Sequence, residues 1–394
     1  IRTERKNMTG VEKYVKFSEY PKDERFAENI RKFQGCPTIA VTKKGRIFMG
    51  WYSGGTCEPN IENYNLVIYS DDEGETWSEP VCVIESSKEN RYQALDIQLW
   101  TDPEGALNIY WVQNNAFPLS EADMKEYEKK FRSDPNPLKK DQPLGWVEGW
   151  CFDDFIHHEW LCKVKDPDAD ILKFEEPKCV FPGFLRCRPL VLKNKREIYC
   201  AYNQANEEYL YTVSDDRGKS YVTKLGAKRI ATDCDETMCF QKENGDVVML
   251  ARTKLDFLAK TVSKDNGETW SETCLSDIPN PMTRFYIGRT PRGRLLMVNN
   301  HHKGVPGEPY VHRTDMTVLL SEDEGETWKY KKIIDRREQL SYPDVDFYDG
   351  KIYLTYDRER MGAKEIYFLK FTEEDIMNPD YEFDIKTVSK PCNI

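Results

Sequence analysis

Short runs of apolar residues, separated by glycine or charged turn residues, recur along the whole chain. Six of them follow a turn in the same way: GRIFMGWYS (45–53), GALNIYWVQN (105–114), REIYCAYN (196–203), GDVVMLAR (245–252), GRLLMVNN (293–300) and GKIYLTYDR (350–358). Each is preceded by another strand-like run, such as PTIAVT, CRPLVL or PDVDFY. An apolar run on either side of a turn predicts a β-hairpin, so the chain contains six predicted hairpins.

The hairpins recur with a period of roughly 45–60 residues, which is typical of a four-stranded propeller blade. We therefore predict an all-β fold, a six-bladed β-propeller of antiparallel blades that forms a single domain over residues 1–394. The interval from Leu95 to Arg188 is too long for one blade and contains the charged segment EADMKEYEKKFRSDPNPLKKDQ. We predict that it is a helix and loop, at about 116–150, inserted in the second blade. The N-terminal VEKYVKFSEY predicts a lone strand that completes the last blade and closes the ring.

An acidic, glycine-centred turn is repeated four times: SDDEGETW (70–77), SDDRGKSY (214–221), SKDNGETW (263–270) and SEDEGETW (321–328). Ser and Asp side chains bond backbone donors in tight turns, and Gly supplies a positive φ. The Trp that ends three of the copies is predicted to pack beneath the turn. The repeat is therefore interpreted as a folding device on the outer edge of the blades, without a catalytic role.

Composition narrows the classes of partner. The 394 residues carry a net charge of −11, which argues against nucleic acid or an anionic membrane as a partner. The aromatic content of 12% suits β-structure and a sugar-binding surface. The 12 cysteines include no CxxC pair, so we predict free thiols, no metal site and no cofactor. Because the sequence shows no signal peptide, a cytoplasmic protein is expected, or a secreted one if a signal peptide has been removed.

Hairpin register predicts which residues reach the centre of the ring. Facing residues in a two-stranded antiparallel hairpin have numbers with a constant sum, so the start of a blade's first strand faces the end of its second. Polar groups from several blades are expected to converge at that end of the ring. The predicted facing pairs are Glu236 with Arg252, Tyr342 with Asp357, Arg284 with Asn300, and Cys36 with Tyr52.

The acidic turn is similar to the Asp-box, or bacterial neuraminidase repeat, of the sialidase superfamily. The resemblance implies a tyrosine nucleophile beside a glutamate, and arginines that bind a substrate carboxylate. Tyr342 in LSYPDVDFYDG resembles the nucleophile, and Glu236 in DETMCFQKENGDVVMLAR, with Arg252 at its end, resembles the glutamate and the arginine that follows it. Arg313 in HRTDMTVLLSEDEGETW resembles the family's third arginine. A phenol with a pKa of about 10 needs such a neighbouring base to act as a nucleophile at neutral pH.

Two positions depart from the family pattern. The first blade has Gly35-Cys36-Pro37 where sialidases have an Arg-Ile-Pro motif that supplies one carboxylate-binding arginine. Arg188 or Arg284 is the predicted replacement. The loop that should carry the family's acid/base aspartate is SGGTCEPNIENYN, which offers Glu58 and Glu62 instead. A glutamate can perform the same proton transfer, and Glu58 is the predicted acid/base.

These residues predict an exo-acting glycoside hydrolase that resembles sialidases and releases a terminal, acidic, sialic-acid-like sugar, so the expected partner is a glycan. Two alternatives stay open. A propeller glycosidase for a different sugar, either another acid sugar or a neutral one, would use two carboxylates, such as Glu58 and Glu236. A non-catalytic propeller would bind glycans or a protein, and Glu236 and Arg252 would then form only a structural ion pair across a hairpin.

Overall fold

A computed structural model describes residues 10–132, 149–202, 206–232, 236–304 and 313–391. These residues form six successive antiparallel sheets, the blades of a six-bladed β-propeller, as the hairpin period predicts. Blades 1 and 2 contain β1 (Lys16–Glu19), β2 (Phe33–Val41), β3 (Ile47–Gly54), β4 (Asn63–Ser70) and β5 (Cys82–Glu85), then β6 (Tyr92–Thr101), β7 (Leu107–Pro118), β8 (Trp150–Val164) and β9 (Lys178–Pro182).

Blade 3 contains β11 (Leu190–Val191), β12 (Glu197–Tyr199), β14 (Glu208–Ser214) and β15 (Val222–Lys228), and its first hairpin continues in a short ladder of β10 (Phe184–Leu185) with β13 (Ala201–Tyr202). Blade 4 contains β16 (Thr237–Gln241), β17 (Val247–Ala251), β18 (Phe257–Ser263) and β19 (Cys274–Pro279). Blades 5 and 6 contain β20 (Tyr286–Arg289), β21 (Leu295–Asn300), β22 (Met316–Ser321) and β23 (Tyr330–Asp335), then β24 (Leu340–Tyr348), β25 (Lys351–Arg358), β26 (Glu365–Phe371) and β27 (Lys386–Ser389).

The inner strands are apolar on both faces because each blade packs between two neighbours. Every residue of β2 and β3 is buried, for example. One apolar cluster runs through blades 2 to 6 and contains residues of all five, among them Leu161, Val213, Val248, Leu296 and Leu354. The core is therefore a set of interfaces between blades, arranged around the centre of the ring.

The predicted role of the N-terminal segment in closing the ring is wrong. Its first part is a short helix, α1 (Gly10–Lys13), and its second part, β1, pairs antiparallel with β5 as a fifth strand of blade 1, with Phe17 opposite Ile84. Blade 6 takes its fourth strand, β27, from the C-terminal region, so no position remains there for β1. Side chains join the first and last blades instead, as where Thr38 Oγ1 donates to Asp344 Oδ2 at 2.7 Å.

The four acidic turns have the predicted geometry. In the first, Ser70 Oγ accepts a hydrogen bond from the Gly74 N–H at 2.9 Å, and Asp72 accepts one from the Thr76 N–H at 2.8 Å. Gly74 has a φ of 84°. The other three turns repeat these bonds, and all four join the third and fourth strands of a blade. Trp270 packs from the turn of blade 4 onto Tyr211 of blade 3, with ring centroids 5.6 Å apart.

The predicted insertion in blade 2 lies between β7 and β8. It contains α2 (Glu121–Arg132), and residues 133–148 lie outside the described residues. The remaining helices are α3 (Glu373–Met377) and two 3₁₀ turns, Glu24–Phe26 and Glu28–Ile30. Across the described parts of the chain, no helix has the length and apolar character needed to cross a membrane.

Candidate active site

The first strands of blades 1, 2 and 6 each contain a β-bulge at the same level of the propeller. The pairing register shifts between Gly35 and Thr38, between Leu95 and Gln98, and between Ser341 and Asp344. One residue in each bulge has a left-handed backbone: Cys36 with φ 56°, Asp96 with φ 43° and Tyr342 with φ 53°. A bulge re-aims side chains, and these three bulges bring residues from separate blades together.

The bulges overturn two of the predicted facing pairs. An extra residue shifts the register by one, so Ser341 rather than Tyr342 faces Asp357, and Gly35 rather than Cys36 faces Tyr52. Blades 4 and 5 have the predicted register, since Thr237 faces Ala251 and the Arg252 N–H donates to the Glu236 carbonyl at 3.1 Å, and Tyr286 faces Val298.

Tyr342 and Glu236 form the centre of the site. The Tyr342 hydroxyl donates to Glu236 Oε1 at 2.5 Å, and Arg252 Nη1 donates to Glu236 Oε2 at 2.7 Å. The Arg186 Nε lies 4.0 Å from Glu236 Oε1, and its guanidinium carbon lies 4.7 Å from the centroid of the Tyr342 ring. One carboxylate thus accepts the hydrogen bond of the phenol while two buried guanidinium groups balance its charge.

The electrostatics of this pair follow from burial and from the neighbouring charges. Burial raises the pKa of Glu236, but the charges of Arg252 and Arg186 and the hydrogen bond from Tyr342 outweigh it and hold that pKa below its ordinary value. Burial, together with the negative charge of Glu236, raises the pKa of Tyr342 well above 10. In this state the phenol therefore keeps its proton, and Glu236 is the charged group placed to take it.

Asp96 adds a second carboxyl group to the well. Its Oδ1 lies 3.4 Å from Arg186 Nη1, so Arg186 lies between the two acidic groups. Burial raises the pKa of Asp96 to about 6, against the opposing charge of Arg186 and with the help of Glu58 and Glu236. Asp96 can therefore hold a proton close to neutral pH, which is a property of general acids.

Glu58 lies on the loop that follows β3, at the mouth of the well. It forms an ion pair with Arg360 Nη1 and lies 3.8 Å from Cys36 Sγ. The guanidinium carbon of Arg360 lies 4.3 Å from the centroid of the Tyr342 ring. The predicted acid/base is thus connected to the predicted nucleophile through one arginine.

Arg313 brings another guanidinium to the same region. Its Nη2 donates to the Met282 carbonyl at 3.4 Å. Burial lowers the pKa of Arg313, and so do the positive charges of Arg252 and Arg360. Guanidinium groups whose positive charges act on one another form an arrangement that can bind an anion.

The comparisons with known proteins concern the repeats and the fold. A family model described as a BNR repeat-like domain matches residues 167–354, and a BNR/Asp-box repeat matches residues 68–79. Sialidase B of Streptococcus pneumoniae is 24% identical over 327 residues, which cover 74% of this chain and 40% of that protein. These matches support the sialidase and BNR-repeat superfamily, to which the chain is similar as a divergent relative. The chain spans two fifths of the length of Sialidase B.

Solved sialidase structures share the propeller fold of this chain. The NanB sialidase from Streptococcus pneumoniae superposes with a TM-score of 0.63 at 15% identity, over 91% of this chain and 71% of that one. A leech intramolecular trans-sialidase superposes with a TM-score of 0.62 at 14% identity, over 92% and 71% of the two chains. At this level of identity, the likeness concerns the fold.

The two arginines that were predicted to replace the missing first-blade arginine have other partners. Arg188 Nη1 pairs with Asp346 at 2.6 Å, and its Nη2 donates to the Ile39 carbonyl at 3.2 Å. Arg284 donates to the carbonyls of Arg186 and Pro343. Both side chains therefore join separate blades across the ring. Arg284 is 2% exposed, so a ligand has little access to it.

Arg186 and Arg360 are the functional candidates that sequence reasoning missed. Arg186 follows β10, where the first strand of blade 3 is interrupted. The alternation of side chains along a regular strand therefore does not predict which way Arg186 points. Arg360 comes two residues after β25 and has no counterpart in the family motifs quoted above. One signal could have indicated Arg360: it follows shortly after the strand that contains Asp357, the residue predicted to face Tyr342. Among the described residues, no cluster of His, Cys, Asp and Glu is arranged to hold a metal ion.

Proposed function

We propose that the protein is an exo-acting glycoside hydrolase of the sialidase type, with Tyr342 as its nucleophile. The observation that carries this proposal is the 2.5 Å hydrogen bond from the Tyr342 hydroxyl to Glu236, inside a well bordered by guanidinium groups. Supporting it, the protein that matches most of the chain is named a sialidase.

The mechanism uses two displacements at the anomeric carbon. Tyr342 attacks that carbon while its proton passes to Glu236 Oε1, and the bond to the leaving oxygen breaks as Glu58 gives that oxygen a proton. A glycosyl–tyrosine bond is then held at the well. Water, deprotonated by Glu58, attacks the same carbon, and the released phenolate takes its proton back from Glu236. Two inversions retain the configuration of the sugar.

The arginines select an acidic sugar. Arg252 is held by Glu236, and Arg313 lies close enough for the two positive charges to act on each other. Bringing cations together costs free energy that a bound carboxylate recovers, and guanidinium groups can grip a carboxylate with paired hydrogen bonds. A terminal sugar acid of the sialic type fits this requirement.

A second candidate is a hydrolase that uses two carboxyl groups on another sugar. Asp96 favours it, because its pKa of about 6 and its place beside Arg186 and Glu236 suit a general acid. In that mechanism Glu236 would act on water or on the sugar directly, and Tyr342 would only position it.

A covalent trap tests the two candidates. Incubation with a difluorinated sialic acid, followed by intact mass and peptide mapping, is expected to place one sugar on Tyr342 and none in Tyr342→Phe. A label on Glu236 or Asp96 would replace the tyrosine mechanism with the second candidate. Thermal unfolding with the unsaturated deoxy analogue of sialic acid and with neutral sugars measures which ligand stabilises the fold. A shift with a neutral sugar alone would contradict the acidic specificity.

A further inference from the structure

Arg360 contacts both the proposed nucleophile and the proposed acid/base. Its guanidinium group lies over the Tyr342 ring and forms an ion pair with Glu58. Its Nε lies 3.1 Å from Asp357 Oδ2, and its Nη2 donates to Ser341 Oγ at 3.0 Å. An arginine of the last blade thus joins the bulge of that blade to a loop of the first.

The place of Arg360 depends on a glycine in blade 1. A Cβ atom at Gly35 would lie 2.6 Å from both Cγ and Cδ of Arg360, which is closer than carbon atoms approach. Gly35 does not have a left-handed backbone, so a side chain is excluded here by the lack of room and not by the backbone conformation. The side chain of Arg360 therefore lies directly against the first strand of blade 1, at the segment Gly35-Cys36-Pro37.

The two acidic partners of Arg360 differ in how firmly they are held. Asp357 is fully buried and also accepts hydrogen bonds from the Cys36 N–H at 2.6 Å and from Ser341 Oγ at 2.5 Å. The Glu58 side chain is 32% exposed and stands on a loop. A partly exposed ion pair contributes little to the free energy of unfolding, so its members can change partners at low cost. Asp357 is therefore the fixed partner and Glu58 the exchangeable one.

We infer that Arg360 changes partner when substrate binds: it leaves Glu58 for the anionic group of the sugar, and so frees Glu58 for proton transfer. This inference rests on the proposed function and adds a third anion-binding residue to it. Arg360 lies over the ring of Tyr342, and Arg252 binds the Glu236 carboxylate that accepts from the Tyr342 hydroxyl, so both guanidinium groups border the place of a sugar attacked by Tyr342. A carboxylate without an adjacent cation takes up a proton more readily, which is what a general acid requires.

Partner exchange predicts opposite effects for the two members of the pair. Binding of the unsaturated deoxy sialic acid analogue is measured by calorimetry. Glu58→Gln removes the internal competitor and is expected to tighten binding about fivefold. Arg360→Met is expected to weaken it about tenfold or more. The carboxyl-reduced analogue, which has no charge, is expected to bind wild type and both variants equally.

Matched controls exist nearby. Glu62 stands on the same loop but pairs with Lys88 at 2.5 Å, and Arg358 stands on β25 but pairs with Glu365 at 2.8 Å. Glu62→Gln and Arg358→Met are expected to leave the binding of the analogue unchanged. If Arg360→Met unfolds, Gly35→Ala displaces the same side chain without removing its charge and is expected to weaken binding as well.

The outcomes separate this inference from the proposed function. If wild type binds the acid analogue and Arg360→Met or Gly35→Ala binds it equally well, the partner exchange is overturned and the proposed function stands. Weaker binding by Glu58→Gln would also overturn the exchange, since Glu58 would then assist the ligand rather than compete with it. If wild type binds only neutral sugars, the proposed function and the inference both fail.

Discussion

The four acidic turns on the outer edge of the blades, called the rim below, use the same residue types as the central well. The aspartates of the rim are exposed or partly exposed to solvent, whereas the carboxyl groups of the well are mostly buried. At the rim, Ser and Asp bond to backbone groups two to four residues away, and the arrangement is repeated four times. In the well, contacts join blades that are far apart in the sequence, as between Cys36 and Asp357 or Tyr342 and Glu236. Local contacts form wherever their short sequence occurs. Distant ones form once, and only when the ring has closed.

The four aspartates of the rim turns and Asp96 of the well differ in the pKa of their carboxyl groups. Hydrogen bonds from neighbouring residues lower the pKa of each rim aspartate to about 2, so these carboxylates stay charged: Asp72, Asp216, Asp265 and Asp323. Burial raises the pKa of Asp96 to about 6. The comparison teaches that an aspartate of the rim serves folding, whereas Asp96 in the well is held where it can exchange a proton.

The strongest test of the contrast is Tyr342→Phe. Removing the hydroxyl deletes the proposed nucleophile and the 2.5 Å bond to Glu236, while the ring stays in place. We expect kcat on an activated sialoside to fall roughly 10³-fold or more with an unchanged fold. Tyr348→Phe, on the outer half of the same strand, is the control and should keep full activity. Substantial turnover by Tyr342→Phe would refute the tyrosine mechanism.

The next effect is expected from Glu236→Gln, which changes both activity and stability. Loss of the base should lower kcat by roughly 10²-fold or more. Arg252 would also lose its 2.7 Å charged partner while buried, so the free energy of unfolding should fall by about 3 kcal/mol. Steady-state kinetics measures kcat, and urea denaturation measures the free energy of unfolding. Glu243→Gln, in the exposed turn of the same hairpin, should change neither, and equal activity of Glu236→Gln and wild type would exclude a catalytic role.

Asp96→Asn sharpens the comparison through pH. The pKa of Asp96 is about 6 in the folded protein and 3.8 without burial, so between those values the folded state binds more protons than the unfolded state. Stability from this group is therefore present at low pH and is lost as pH rises from about 4 to 6. The loss is up to about 3 kcal/mol. Denaturation curves across this range should show the fall in wild type and a smaller fall in Asp96→Asn; identical curves would contradict it.

The smallest effect is expected at the rim. Gly267→Ala places a side chain at φ 84° and a Cβ atom 2.9 Å from Ile198 Cδ1, so it should cost about 1–3 kcal/mol of stability. Gly293→Ala, at φ 92° with open space around it, carries only the backbone cost. Urea denaturation should give a lower free energy of unfolding for Gly267→Ala than for Gly293→Ala. The kcat of both variants should be unchanged. A large loss of kcat in either folded variant would break the division between rim and well.

Local chemistry was predictable from the sequence. The six hairpins and the acidic turns depend on apolar runs and on Ser, Asp and Gly at fixed short spacing, and the structure contains them. The register of blade 4 followed from counting, because its hairpin has no bulge, and this brought Glu236 and Arg252 together correctly. The proximity of Tyr342 to Glu236 was suggested by the family resemblance and is present in the structure.

Only the tertiary structure decided the rest. Bulges at Cys36, Asp96 and Tyr342 add one residue to a strand, and a change of one residue alters which side chain faces the partner strand. The strand partner of β1 was settled by β27, which already occupies the edge of blade 6. Arg360 reaches the well because Gly35 leaves room for it across a contact between the first and last blades. No count along the chain reports such a contact, since the two residues meet only after every blade between them has packed.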